Sequence, residues 1–153
     1  MEIREGLLDH PAVIALLKEH LASMEQTAPP ESRHALDPGG LRGPDITFWS
    51  LWDGSQLAGV GALKHLSRDH VEIKSMKTAP AYLRKGIASK ILAHMIQDAR
   101  ERGCLRISLE TGSMEFFAPA RHLYSSFGFE PCAPFGNYVD DPNSVFMSRL
   151  LRD

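Results

Sequence analysis

Between Met76 and Ser89 the chain reads Met76-Lys77-Thr78-Ala79-Pro80-Ala81-Tyr82-Leu83-Arg84-Lys85-Gly86-Ile87-Ala88-Ser89. Upstream, Val71–Thr78 has the character of a strand. Downstream, Ile87, Ile91, Leu92, Met95, Ile96 and Ala99 recur at helical spacing until Gly103 stops the pattern. Leu105, Ile107 and Leu109 then alternate as a second strand. A strand, a helix opening on glycine, and a further strand confine the chain to folds in which helices cover a sheet.

The remaining segments fit that frame. Ile3 lies in a short first strand. Asp9 precedes a helix over Pro11 to about Gln26, with Val13, Leu16, Leu17, Leu21 and Met24 on one stripe. Ala28–Asp45 is too rich in Pro and Gly for long regular structure. Ile46–Trp52 and Gln56–Leu63 flank Asp53-Gly54-Ser55, a hairpin signal, and with the Val71 strand they predict an antiparallel meander. Pro119–Phe127 reads as a short helix stopped by Gly128, and Phe129–Cys132 and Ser144–Leu150 as closing strands. The expected order is β-α-loop-β-β-β-α-β-α-β-β, an α+β mixed sheet flanked by helices, in one domain over residues 1–153.

Composition narrows the function classes. The 153 residues are 43% hydrophobic and 24% charged, a globular balance that excludes collagen and disordered chains. No apolar run suits a membrane helix, and the charged N-terminus does not read as a signal peptide, so a soluble cytoplasmic protein is expected. Two cysteines and seven scattered histidines offer no metal-ligand spacing, and no metal is expected. Cys104 and Cys132 read as buried small hydrophobes, Trp49 and Trp52 as core or sheet packing. Charge is uneven: Lys64–Arg106 carries net +6 between flanks of −5 and −3. That pattern suits a small polyanion bound centrally. No nucleic-acid motif accompanies it, so no nucleic-acid partner is expected.

The junction is where such a polyanion would sit. A helix start exposes free backbone N–H groups at the positive end of its dipole, Gly86 and Ala88 let a phosphate approach closely, and Arg84, Lys85 and Lys90 add positive charge. An ordinary packed strand-to-helix turn would also read this way.

Leu83-Arg84-Lys85-Gly86-Ile87-Ala88 resembles the Gln/Arg-x-x-Gly-x-Gly/Ala motif of the GNAT superfamily of acyl-CoA-dependent N-acetyltransferases, with Leu83 in place of the usual Gln or Arg. Leu123-Tyr124-Ser125-Ser126-Phe127-Gly128-Phe129 is similar to the family's later LY…GF signature, and the element order matches over nearly the whole chain. Glu110-Thr111-Gly112-Ser113 with Phe117-Ala118-Pro119-Ala120 resembles a small bacterial subgroup whose acceptors are mostly unassigned. The resemblance implies acetyl-CoA as co-substrate. Its pyrophosphate would lie on the N–H groups of Lys85, Gly86, Ile87, Ala88 and Ser89. Its pantetheine would pair with the backbone of Met76, Lys77 and Thr78, and the Met76 N–H would polarise the thioester carbonyl.

Acetyl transfer to an amine needs a proton acceptor and a donor to the leaving thiolate. Period-two alternation puts Glu72, Lys74, Met76 and Thr78 on one face. Histone-acetylating relatives carry a base at what looks like the position of Glu72. An ion-pair partner of Lys74 is the plainer reading of that residue. Tyr124 matches a family tyrosine that serves as acid beside the sulfur; otherwise it is aromatic packing against Ala120 and Phe127. The expected reaction moves acetyl from acetyl-CoA to a primary amine of a small molecule. The rival is a non-catalytic acyl-CoA-binding or sensor module. Glu31, Arg33, His34, Asp37 and Arg42 in the Ala28–Asp45 loop would suit a zwitterionic acceptor, with Phe135–Asn143 as the opposite wall. Many family members dimerise, so a homodimer is compatible with the resemblance.

Overall fold

The computed structural model describes residues 1–27 and 40–151. Among the described residues, seven strands and three α-helices occur in the expected order: β1 (Glu2–Glu5), α1 (Pro11–Thr27), β2 (Ile46–Asp53), β3 (Gln56–His65), β4 (His70–Thr78), α2 (Ile87–Glu101), β5 (Arg106–Gly112), α3 (Ala118–Ser126), β6 (Glu130–Cys132) and β7 (Ser144–Leu150). They form one mixed sheet in the order β1-β2-β3-β4-β5-β7-β6, antiparallel at every step except β4–β5. The β2–β3 hairpin turns at Gly54, whose φ of 59° is the left-handed value an Asp-Gly turn requires. Glu31, Arg33, His34 and Asp37, expected on an acceptor wall, lie outside the described residues. Among the described residues no helix is long and apolar enough to cross a membrane.

Each face of the sheet has its own core. On one, Ile87, Ile91, Leu92 and Met95 of α2 pack with Leu63, Ile73, Ile107 and Leu109, and Tyr124 of α3 joins the same cluster. On the other, Val13, Leu16 and Leu17 of α1 cover Phe48, Trp52, Val60 and Ala62. Full burial of each large aliphatic side chain stabilises by roughly 1.5–3 kcal/mol. Gly59 and Gly61 of β3 set how closely α2 approaches: a Cβ there would stand 2.8 Å from Ile87 Cγ2 and 2.6 Å from Ile91 Cγ2. Two glycines in a strand are unfavourable locally. Here they seat the N-terminal half of α2 against the sheet, and so fix where its free N–H groups point.

The structure corrects two expectations. Alternation along β4 does not hold to its end. Val60 pairs with Lys77 and Ala62 with Lys74, so three steps on β4 match two on β3, and Ser75 has φ of 54°. This is a β-bulge, which turns the following side chains over. Glu72 and Lys74 stay on the α1 face, while Met76 packs into the α2 cluster. Glu72 and Met76 therefore do not share a face. Cys132 is exposed on β6 because that strand is the sheet edge; Cys104 is buried as expected. Trp49 and Trp52 are buried on opposite faces.

Candidate active site

β4 and β5 pair only from His70 to Glu72 and from Arg106 to Ser108. Past the bulge at Ser75 they part. The facing edges of Ile73–Thr78 and Leu109–Gly112 are left without ladder partners among the described residues. An unmade buried hydrogen bond costs about 1–3 kcal/mol, so these edges favour a ligand that carries amides of its own. The Ser75 hydroxyl, buried at the bulge with no hydrogen-bond partner among the described residues, is a further polar group left over there.

A groove of about 490 Å³ opens from this gap toward α2 and α3. Of the residues expected to hold acyl-CoA, Met76, Lys77, Thr78, Arg84, Gly86, Ile87, Ala88 and Ser89 line it. Lys85 does not: its ammonium lies 5.5 Å over the Tyr82 ring, leaving only its backbone near the turn. Tyr82 is itself held by its hydroxyl, which donates to Asp53 Oδ2 at 2.9 Å and lies 2.8 Å from the side-chain amide of Gln56. Gly86 caps α2 in the left-handed region, φ 77°, and a Cβ on it would meet nothing within 4 Å. Arg84 is also left-handed, φ 63°, a conformation costing an L-residue of order 1–2 kcal/mol. The first turn of α2 presents the N–H groups of Ile87, Ala88 and Ser89 ahead of the first helical bond, from Lys90 N–H to Gly86 O. Among the described residues, these three N–H groups are free to bind an anion, and the strand edges left without ladder partners are free to bind amides. Leu83, 58% exposed, and Phe116, 59% exposed, border the groove as apolar rims.

Beyond the gap lies a smaller cavity of about 130 Å³. Among the described residues, five line both spaces: His20, Met76, Phe117, Ala120 and Tyr124. They form a collar where groove and cavity adjoin. Phe117 sits there because Gly112 ends β5 without a side chain; a Cβ at Gly112 would come within 2.1 Å of the Phe117 ring. Arg121 of α3 ties the same turn by donating to Gly112 O at 2.6 Å and Met114 O at 2.9 Å.

Glu72 lines the small cavity but is engaged. Its carboxylate accepts a bond from Tyr138 Oη at 2.5 Å and pairs with Lys74 Nζ at 3.2 Å; Lys74 also donates to Tyr138 Oη at 2.7 Å. Burial, with Glu72 alongside, raises the Tyr138 phenol well above its ordinary value. Tyr138 comes from the Phe135–Asn143 segment, the wall expected to face the acceptor, and a second opening lined by Lys64, His65, Asn137 and Tyr138 leads outward from it.

Sequence reasoning passed over two residues of this cavity. Glu110 of β5 sits beside the gap, and burial pushes its carboxyl up to about 7, with Lys74 partly offsetting and Glu72 adding to the rise. The signal for it was its place on β5 one residue beyond Leu109, on the face opposite the α2 core. The second is His20, which continues the Val13-Leu16-Leu17 stripe at helical spacing. Tyr124 stands where expected, 8% exposed, with its ring edge-on to Phe129. Burial, then Glu110, raises its phenol to about 12.

The comparisons with known proteins agree with this geometry. Residues 13–129 match the model of the Acetyltransferase (GNAT) family. The uncharacterized N-acetyltransferase YsnE of Bacillus subtilis (strain 168) is 56% identical over 99% of this chain and 100% of its own. The IAA acetyltransferase of Azospirillum brasilense is 33% identical over 92% of this chain and 91% of its own. Among solved structures, the PaiA N-acetyltransferase of Thermoplasma acidophilum in complex with coenzyme A superposes with a TM-score of 0.73 at 17% identity, covering 98% of this chain and 99% of that one. With a family model spanning most of its length and relatives at this identity, the chain belongs to the GNAT family of N-acetyltransferases.

Proposed function

We propose that this N-acetyltransferase moves acetyl from acetyl-CoA to a primary amine of a small molecule by direct attack, as a single unit over residues 1–153. The observation that carries the reading is the collar. A groove lined by the residues expected to hold acyl-CoA adjoins a carboxylate-lined cavity at that collar, and Glu72, Lys74 and Tyr138 border both the cavity and the outer opening beside Lys64.

Acetyl-CoA supplies the acyl thioester; the amine nitrogen bonds to the acetyl carbon as the carbon–sulfur bond breaks. Ile87, Ala88 and Ser89 hold the pyrophosphate with backbone N–H groups. Met76 directs its N–H at the carbonyl oxygen, where negative charge grows. Glu110 takes the amine proton, because a carboxyl held near 7 is ionised in part at neutral pH and basic enough to be useful. Glu72, bound to Lys74 and Tyr138, shapes the acceptor side. It is a second candidate for the proton because it lines the same cavity. Tyr124 donates a hydrogen bond to the leaving sulfur. A phenol near 12 gives up its proton to a thiolate, whose ordinary pKa is about 8.5, only against the gradient. Stabilisation by a hydrogen bond is therefore the role its surroundings favour.

The relatives bear on the acceptor without naming it for this chain. One is called an IAA acetyltransferase and another, from Streptomyces lavendulae, a streptothricin acetyltransferase. The test is release of free thiol from acetyl-CoA against a panel of small amines, amino acids and aminated antibiotics, with the acetylated product identified by mass. Saturable, amine-dependent turnover is expected. Tight CoA binding with no amine-dependent thiol release across the panel supports the sensor reading instead.

A further inference from the structure

Among the described residues, the collar contains one polar side chain besides Tyr124. His20 projects from the last described part of the α1 stripe, after Val13, Leu16 and Leu17, and borders both groove and cavity. The α1 core lies on one face of the sheet, and Tyr124 belongs to the core on the other. His20 and Tyr124 thus reach the gap between β4 and β5 from opposite sides. Phe117 and Ala120, the other α3-side members of the collar, offer no polar side-chain atoms, and Met76 offers its backbone. His20 has no hydrogen-bond partner among the described residues, although a neutral imidazole carries both a donor and an acceptor.

We propose that His20 is an uncharged hydrogen-bond donor to the carbonyl oxygen of the bound thioester, acting from the α1 side of the gap together with the Met76 N–H. The assignment rests on the acetyl-transfer reading. A thioester crossing the collar has two atoms on which negative charge grows, oxygen and sulfur. Tyr124 serves the sulfur from the α3 side, which leaves the oxygen to the donor facing it from α1. The imidazole's environment suits a donor better than a base. Burial first, and Lys77 second, lower it to about 4, so it is neutral across the working range and keeps one N–H. Among the described residues, the other charged groups bordering the cavity are Glu72 and Lys74 of β4, which are paired, and Glu110 of β5. Glu110 is far the better proton acceptor, which leaves His20 free to remain a donor.

The test reads the imidazole directly in the wild-type protein, by nitrogen-15 NMR of histidine-labelled chain, His20 being assigned with the His20→Gln variant. Two probes are compared at saturation: CoA, which lacks the acyl carbonyl, and an acetyl-CoA analogue with a methylene between sulfur and acetyl carbon, which keeps it. The expected result is a downfield shift of the His20 N–H with the analogue and little change with CoA. Equal responses to the two, or none when both are bound, overturn the proposal. Failure of both to bind overturns the acetyl-transfer reading and the proposal with it. In parallel, His20→Ala should slow single-turnover thiol release from acetyl-CoA with a pool of small primary amines by roughly 10²–10³-fold. CoA affinity should stay within about twofold, and His20→Asn, which restores an N–H, should recover part of the rate. The rising limb of the pH–rate profile should persist in both variants. An unchanged rate in His20→Ala, or loss of that limb, overturns the donor assignment.

Discussion

Tyr138 Oη donates to Glu72 Oε2 at 2.5 Å, joining the connection between β6 and β7 to the middle of β4 across 66 residues of sequence. Lys74 closes the arrangement by contacting both. Glu72 is 3% exposed, so its charge is held by these two partners rather than by water. Removing one hydrogen bond to such a carboxylate costs about 1–3 kcal/mol. Tyr138→Phe should lower stability by that amount and loosen the acceptor wall. The Michaelis constant for the amine should rise roughly tenfold while CoA affinity, measured by calorimetry, stays at the wild-type value. A matching loss of CoA affinity would show that the segment supports the groove and not the acceptor side.

Glu110 and Glu72 are separable by pH. If Glu110 takes the proton, kcat/KM should rise with pH around a midpoint near 7, where the buried carboxyl ionises. Glu110→Gln should abolish that limb and lower kcat by roughly 10²–10⁴-fold. Glu72→Gln should keep the limb and lose activity mainly through amine binding. The reverse pattern would move the base to Glu72. Stability offers an independent check. A carboxyl raised from 4.5 to about 7 binds its proton more tightly folded than unfolded. Its contribution is therefore full below about 4.5 and is lost as pH rises toward 7. At pH 8, Glu110→Gln should be more stable than wild type by about 1–3 kcal/mol.

The order of elements, the hairpin at Asp53-Gly54 and the glycine-led turn into α2 were legible in the sequence because each rests on local chemistry: periodicity, turn residues, a glycine before a helix. What was not legible depends on register. The bulge at Ser75 leaves no mark in composition, and it alone turns Met76 away from the face of Glu72. The same holds for the commitment of Glu72 to Tyr138, a contact made by a distant segment with little periodicity. Glu110 stood in plain view inside Leu109-Glu110-Thr111, but its raised carboxyl comes from burial, which only the packed β4–β5 gap creates. His20 differed by a single substitution from a continuous apolar stripe, and a stripe interrupted by a titratable residue is as often a surface position as a site.

Gly86 carries two requirements that two substitutions can separate. Its φ of 77° disfavours branched residues, and its α-hydrogen leaves open space where a phosphate would approach. Asn tolerates the left-handed region, so Gly86→Asn should fold with nearly wild-type stability. Gly86→Val should lose of order 1–2 kcal/mol. Both should weaken CoA binding about tenfold or more, equivalent to about 1.4 kcal/mol. If Gly86→Asn binds CoA as the wild type does, the glycine serves the turn alone and the phosphate contact lies elsewhere.

Tyr124 tests whether the collar performs chemistry or only closes the core. Its ring packs edge-on against Phe129 at 5.9 Å between centroids and contributes to the α2-side cluster, all of which Phe preserves. Tyr124→Phe removes one oxygen, so folding and CoA affinity should change little. As a hydrogen-bond donor to the leaving sulfur, the hydroxyl should be worth roughly 10–10³-fold in the chemical step. Because its phenol stays protonated to about pH 12, the defect should be uniform with pH, with the Glu110 limb intact. Single-turnover measurements are needed, since slow product release would conceal a loss at the chemical step. A defect that vanishes at low pH, where solvent protonates the thiolate readily, would instead identify Tyr124 as the source of the proton itself. An unchanged single-turnover rate in the folded variant would leave the aromatic ring as packing, and would return the acyl-CoA-binding module to contention.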